Sequence, residues 1–174
     1  MPTLAQQLGE TAPVSFLVRK ARRLGIAELD HAIEVAAIRG CKHYRSATPL
    51  AIPDPGLNRL SDDELTILLI LGENAYHPTA IRCAAQLARS PRIDPHRLAA
   101  LAVQHKAVRV LTHISRAGLA HDPEGRNFWI TVLSNLPAAQ AGSEPDLPHW
   151  SRFVSMPGIQ KSGPAVTRWL TPIT

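Results

Sequence analysis

Aromatic side chains are scarce in this sequence, 5% of 174 residues against 45% hydrophobic overall. A core must therefore be assembled from Ala, Leu, Ile and Val, a composition that suits closely packed helices. Long apolar runs are missing too: the longest candidate spans residues 65–71, well short of the ~18 residues that a membrane-spanning helix needs. No signal peptide is expected, because the basic cluster Arg19, Lys20, Arg22 and Arg23 follows the largely apolar residues 14–18 instead of preceding them. Two cysteines, Cys41 and Cys83, are too few for a disulfide-built scaffold and suit a reducing compartment as free thiols. A cytoplasmic location is the resulting expectation. Catalytic signatures are also lacking, with no phosphate-cradling glycine loop, no His-Glu zinc helix and no nucleophile elbow.

Acids are lacking in one region only. Residues 76–121 hold Arg82, Arg89, Arg92, Arg97, Lys106, Arg109 and Arg116 against the single acid Asp94, whereas the rest of the chain is near neutral, with twelve basic and thirteen acidic side chains. The pI near 9.8 is thus a local property. It permits a polyanionic partner without requiring one.

Helical patterning runs through most of the chain. Residues 13–24 predict a helix with Pro13 in its first turn and Phe16, Leu17, Lys20, Ala21 and Leu24 on one face, closed by Gly25. Residues 26–38 predict its antiparallel partner, burying Ile26, Leu29, Ile33, Ala36 and Ala37, carrying Glu28, Asp30 and Glu34, and ending before Gly40. Residues 41–60 read as an irregular connection broken by Pro49, Pro53, Pro55 and Gly56 and held by Tyr44, Leu50 and Ile52. Ser61, Asp62, Asp63 and Glu64 then form a capping box ahead of the apolar residues 65–71, which predicts a central helix instead of the rival buried strand.

Further helices are predicted over 78–89 and from Asp94 as N-cap with Pro95 in the first turn. No Gly or Pro interrupts the chain from there to Ala117, but Leu98, Leu101 and Ala102 would lie opposite Val110, Leu111 and Ile114 on one wheel, so a break is expected near His105 and Lys106. After Gly118 a turn is expected, with Asp122 and Glu124 in it, then a last helix carrying Trp129, Val132, Leu133 and Leu136 and ending before Pro137.

The segments AIRCAAQLA, HRLAALAVQ and AVRVLTHIS each carry an Arg near the start followed by small residues. This Arg/Ala/Leu pattern, confined to the central third of the chain, resembles HEAT-type α-helical repeats, which implies paired helices stacked into a solenoid. The intervals from Arg82 to Arg97 and from Arg97 to Arg109 differ, a departure from a fixed repeat that keeps an orthogonal helical bundle open. The expected fold is all-α, about seven short helices. Residues 1–137 form a single domain in this reading. Residues 138–174 form a Pro/Gly-rich extended arm whose Trp150, Phe153, Met156, Ile159, Trp169 and Ile173 anchor it to that domain, or else to a partner.

Arg82, Gln86 and Arg89 recur at helical spacing as one expected exposed stripe, and His105, Arg109, Thr112 and Arg116 as a second. Side by side, such ridges would bind backbone phosphates without reading bases, although arginine also serves simply to solvate a helix face. His31, Cys41 and His43 have zinc-ligand chemistry but no standard zinc spacing, so no metal site and no cofactor is expected. The central histidines His77, His96, His105, His113 and His121 read first as caps and helix ends. The expected function is a non-enzymatic module that binds another protein. Nucleic-acid backbone binding is the alternative, and an enzyme with an unfamiliar site the third.

Overall fold

The computed structural model describes residues 15–138, 146–150 and 169–173. These residues are all-helical, with no strand among them. In chain order they form α1 Phe16–Arg23, α2 Leu29–Ile38, a five-residue α3 Asp54–Asn58, α4 Asp62–Leu69, α5 Pro78–Leu87, α6 Pro95–Gln104, α7 Val108–His121 and α8 Arg126–Ser134. Short 3-10 turns occupy Lys42–Tyr44 and Gly72–Tyr76.

The ends follow local chemistry. Pro13 lies outside the described residues, and α1 is capped instead by Ser15, whose hydroxyl accepts the Leu17 N–H at 3.1 Å. The capping box at α4 forms as expected, with Glu64 N–H on Ser61 Oγ at 3.2 Å and Ser61 N–H on Glu64 Oε2 at 2.9 Å. The connection over 41–60 is less irregular than expected, because Pro53 and Pro55 fall at the cap and first turn of α3, where a missing N–H costs nothing. Leu50 is exposed in it, while Tyr44 and Ile52 do pack on the core. The break near His105 is present: α6 stops at Gln104, Lys106 takes a positive φ of 60°, and α7 restarts at Val108. The helix does not stop at Gly118. It continues to His121, since Gly118 is the position on α7 against which the Trp129 indole lies.

The core is built on α4. Leu65, Ile67 and Leu69 have no exposed surface, and the helix packs on α1, α2, α5 and α6. The four helices that it touches are two earlier ones and the two that follow, contacts that a bundle and a stack of helix pairs both provide. Phe16, expected inside, is 61% exposed. Its neighbours Leu17 and Ala21 carry the packing of α1.

The described parts of the arm lie on the helices. Trp169 is buried, donates Nε1–H to the Ala85 carbonyl at 3.1 Å and meets Trp129 edge to face at 5.2 Å. The Ile173 N–H bonds the Gly40 carbonyl at 3.0 Å, and Gly40, at φ +121°, leaves no room for a side chain beneath that strand of backbone. Trp150 stacks on His121 at 4.2 Å. Phe153, Met156 and Ile159 lie outside the described residues.

Candidate functional site

The two expected arginine ridges do not form as drawn. Arg82 is exposed on α5, but Gln86 is buried, its side-chain N–H bonded to the Thr171 carbonyl at 3.1 Å. Arg89 turns inward to Asp122, with Nε 2.6 Å from Oδ2 and its guanidinium over the Phe128 ring. On the second ridge His105 belongs to the break and pairs with Ser15 Oγ at 3.2 Å, and Thr112 is buried. Wheel spacing assumed that α5 has a solvent side wide enough for three residues in a row. The returning arm covers part of it.

Two of the six candidate residues do share a surface. Arg109 and Arg116 on α7 line a groove of about 450 Å³ with His113 and, from the arm, Asp146 and His149. Arg109 is steadied by the Tyr76 hydroxyl, to which it donates at 3.0 Å.

The more enclosed cationic site is one that the helical pattern did not mark. Asp62, the first residue of α4, is buried at 5% exposure. Its Oδ1 accepts Arg39 Nη1–H at 2.9 Å, and its Oδ2 accepts the Ser90 hydroxyl at 2.5 Å and Arg92 Nε–H at 2.9 Å. Arg39 follows the last residue of α2, and its other terminal nitrogen donates to the Leu57 carbonyl at 2.6 Å. Burial lowers the Arg39 pKa from its ordinary value, opposed by the adjacent Asp62 charge. One buried carboxylate thus fixes two guanidinium groups from different parts of the chain.

Those guanidinium groups face a cleft of about 600 Å³. Arg39, Lys42 and Arg92 supply its charge, Asn58 and Ser90 further polar groups, and its lining contains no acid. Lys42 is exposed and makes no ion pair among the described residues, and Arg92 keeps 64% of its side chain in solvent. Ile38 and Ile173 give the cleft apolar walls and remain 51% and 49% exposed. Sequence spacing could not have assembled it, because Arg39 and Lys42 lie some fifty residues from Arg92 and the two stretches are joined through Asp62.

Among the described residues no group of three or more His, Cys, Asp or Glu could hold a metal ion, and no helix is long and apolar enough to cross a membrane. His31 serves as a cap, its Nδ1 accepting the Glu28 N–H at 3.2 Å. Cys41 and Cys83 are both buried, and Cys41 Sγ lies 3.9 Å from the Cys83 carbonyl oxygen. The Cys83 thiol is pushed well up by its hydrogen bond with Cys41 and by burial, which makes it a poor nucleophile. No family model matches the chain, and neither does any curated protein or solved structure.

Proposed function

We propose that this chain is a non-enzymatic α-helical interaction module whose working face is the cleft at Arg39, Lys42 and Arg92, and that it takes an acidic, partly apolar segment of another protein. The observation carrying this reading is charge complementarity. Three cations line a cleft with exposed aliphatic walls and no acid in its lining, and the Asp62 carboxylate is buried behind the guanidinium groups that it holds. Fixed guanidinium groups bind carboxylates well because little freedom is lost on contact. A fluorescently labelled peptide of alternating Glu and Leu should bind in anisotropy titrations, more weakly as salt rises. Lys42→Glu combined with Arg92→Gln should abolish that binding. Binding unchanged in this double variant would remove the cleft from the reading.

The second reading is phosphate-backbone binding, and the groove holding Arg109, His113 and Arg116 favours it. A short DNA duplex or single-stranded RNA would then bind with a steep salt dependence that Arg109→Glu and Arg116→Glu reduce. Arg82→Glu belongs in the same series because Arg82 is exposed. Indifference of nucleic-acid affinity to all three substitutions would end this alternative.

A further inference from the structure

Glu34 is the least expected charge in the fold. It lies on α2 with 2% of its surface exposed, and its Oε1 has no hydrogen-bond partner among the described residues. A buried carboxylate oxygen without a donor is costly, and proteins retain such groups where something else completes them. Glu34 faces a cavity of about 290 Å³ that is separate from the cationic cleft.

The lining of this cavity defines what would complete it. Asp30, one helical turn before Glu34, adds a second negative charge at the mouth. Like charges at this spacing repel, and a cation between them relieves the repulsion. Tyr44, Ser46 and Thr79 contribute hydroxyl groups, and Ile33 and Leu50 contribute aliphatic surface. His77 adds no further acceptor for a cation, because its Nδ1 takes the Ala80 N–H at 3.4 Å as the cap of α5. Two carboxylates and hydroxyl oxygens are an acceptor set for N–H donors. The volume sits at the lower end of the range for small-ligand sites, ~300–1,000 Å³.

We infer that this cavity binds an aliphatic amine or guanidine, its cationic head between Glu34 and Asp30 and its methylene chain along Ile33 and Leu50. The head can belong to a free small molecule or to a Lys or Arg side chain presented by a partner. The chemistry is the same in both cases. The site shares no residue with the cationic cleft, so the two proposals fail separately.

Calorimetric titrations of the full chain with agmatine, putrescine and a blocked Gly-Arg-Gly peptide test the inference, with uncharged butylurea as the control. Saturable one-to-one binding of a cation, and none of butylurea, is the expected result. Binding of the free amines identifies a small-molecule site, and binding of the peptide alone identifies a partner's side chain. Glu34→Gln should weaken the affinity about tenfold or more, the worth of a hydrogen bond to a charged group. Should that variant fail to fold, Asp30→Asn, at an exposed position, must still weaken binding. The inference is overturned if no cation binds at concentrations up to about 10 mM. It is equally overturned if affinity is indifferent to both substitutions.

Discussion

The Arg89 guanidinium and the Asp122 carboxylate meet at 2.6 Å, with 18% and 5% of their side chains exposed. The same Asp122 oxygen accepts the Trp129 indole N–H at 2.7 Å, and the other accepts the Gly125 N–H at 3.0 Å. A single carboxylate thereby ties the turn that follows α5 to the turn between α7 and α8 and to the largest fully buried side chain described. Asp122→Ala would leave a half-buried cation and a buried indole N–H without a partner, at a cost of about 3–5 kcal/mol. Urea denaturation should show a lower midpoint with an unchanged slope. A loss below about 1 kcal/mol would mean that water replaces the carboxylate freely. Arg89→Glu is for the same reason unsuited as a probe of binding, since it would set a carboxylate against Asp122 and destabilise the fold.

Gly118 offers a test in which propensity and packing disagree. Alanine at a mid-helix glycine ordinarily stabilises by about 1 kcal/mol. Here an added Cβ would fall 2.4–2.5 Å from the Trp129 ring atoms. Since both α7 and the indole are held in place, Gly118→Ala should destabilise by about 1–3 kcal/mol, the usual cost of overpacking. A raised melting temperature in this variant would show that Trp129 can move aside.

These two sites mark where the sequence could be read and where it could not. The capping box at Ser61, the N-cap at Asp94 and the break near His105 rest on neighbours in the chain, so capping residues mark the first two and helical periodicity the third. Gly118 was misread as a stop because the reason for a glycine there is an indole eleven residues away. In the sequence Asp122 reads as an ordinary turn residue and Asp62 as part of the capping box, because their partners Arg89, Arg39 and Arg92 come from other parts of the chain. The exposed stripe through Gln86 failed for the same reason, being covered by residues 85 positions later. Local rules saw the helices. The charged hubs that join them are tertiary.

Trp169 should make the end of the arm part of the fold. Its ring is buried against Trp129 and its indole N–H is satisfied by Ala85, so Trp169→Ala should cost about 3–5 kcal/mol. Deleting the residues after Ala141 removes this anchor together with Trp150 and the Ile173 bond to Gly40. The truncated chain should melt at a lower temperature or aggregate. If it stays monomeric with undiminished thermal stability, the arm contributes nothing to the fold, and its tryptophans become candidates for contact with a partner.

Acidification should weaken the fold, beginning at His105. Burial lowers the pKa of His105 from its ordinary 6.5, opposed by the Glu64 charge, so the native state holds this ring neutral more strongly than the unfolded chain does. Its contribution is therefore present above pH ~6.5 and is lost as pH falls from there through the folded value. The geometry gives the loss a structural meaning. Ser15 can donate its hydroxyl hydrogen to His105 Nδ1 while accepting the Leu17 N–H, and protonating Nδ1 removes that acceptor from beside the cap of α1. Glu64 acts lower on the scale: burial raises its pKa, but the hydrogen bonds from Lys20 at 2.7 and 2.8 Å and from Ser61 outweigh it, leaving the pKa below 4.5. That contribution persists above the unfolded value and disappears as pH falls through the folded one. Asp63, raised above 3.8 by burial against the field of Arg97, works in the opposite sense and softens the final acid loss. Of the groups whose pKa is shifted, His105 is the one with its window between about pH 7.5 and 5.5, so the urea midpoint should fall over that interval and fall less in His105→Gln. A wild-type midpoint that stays level or rises on going to pH 5.5, or an equal fall in the variant, would show that His105 is not the group responsible.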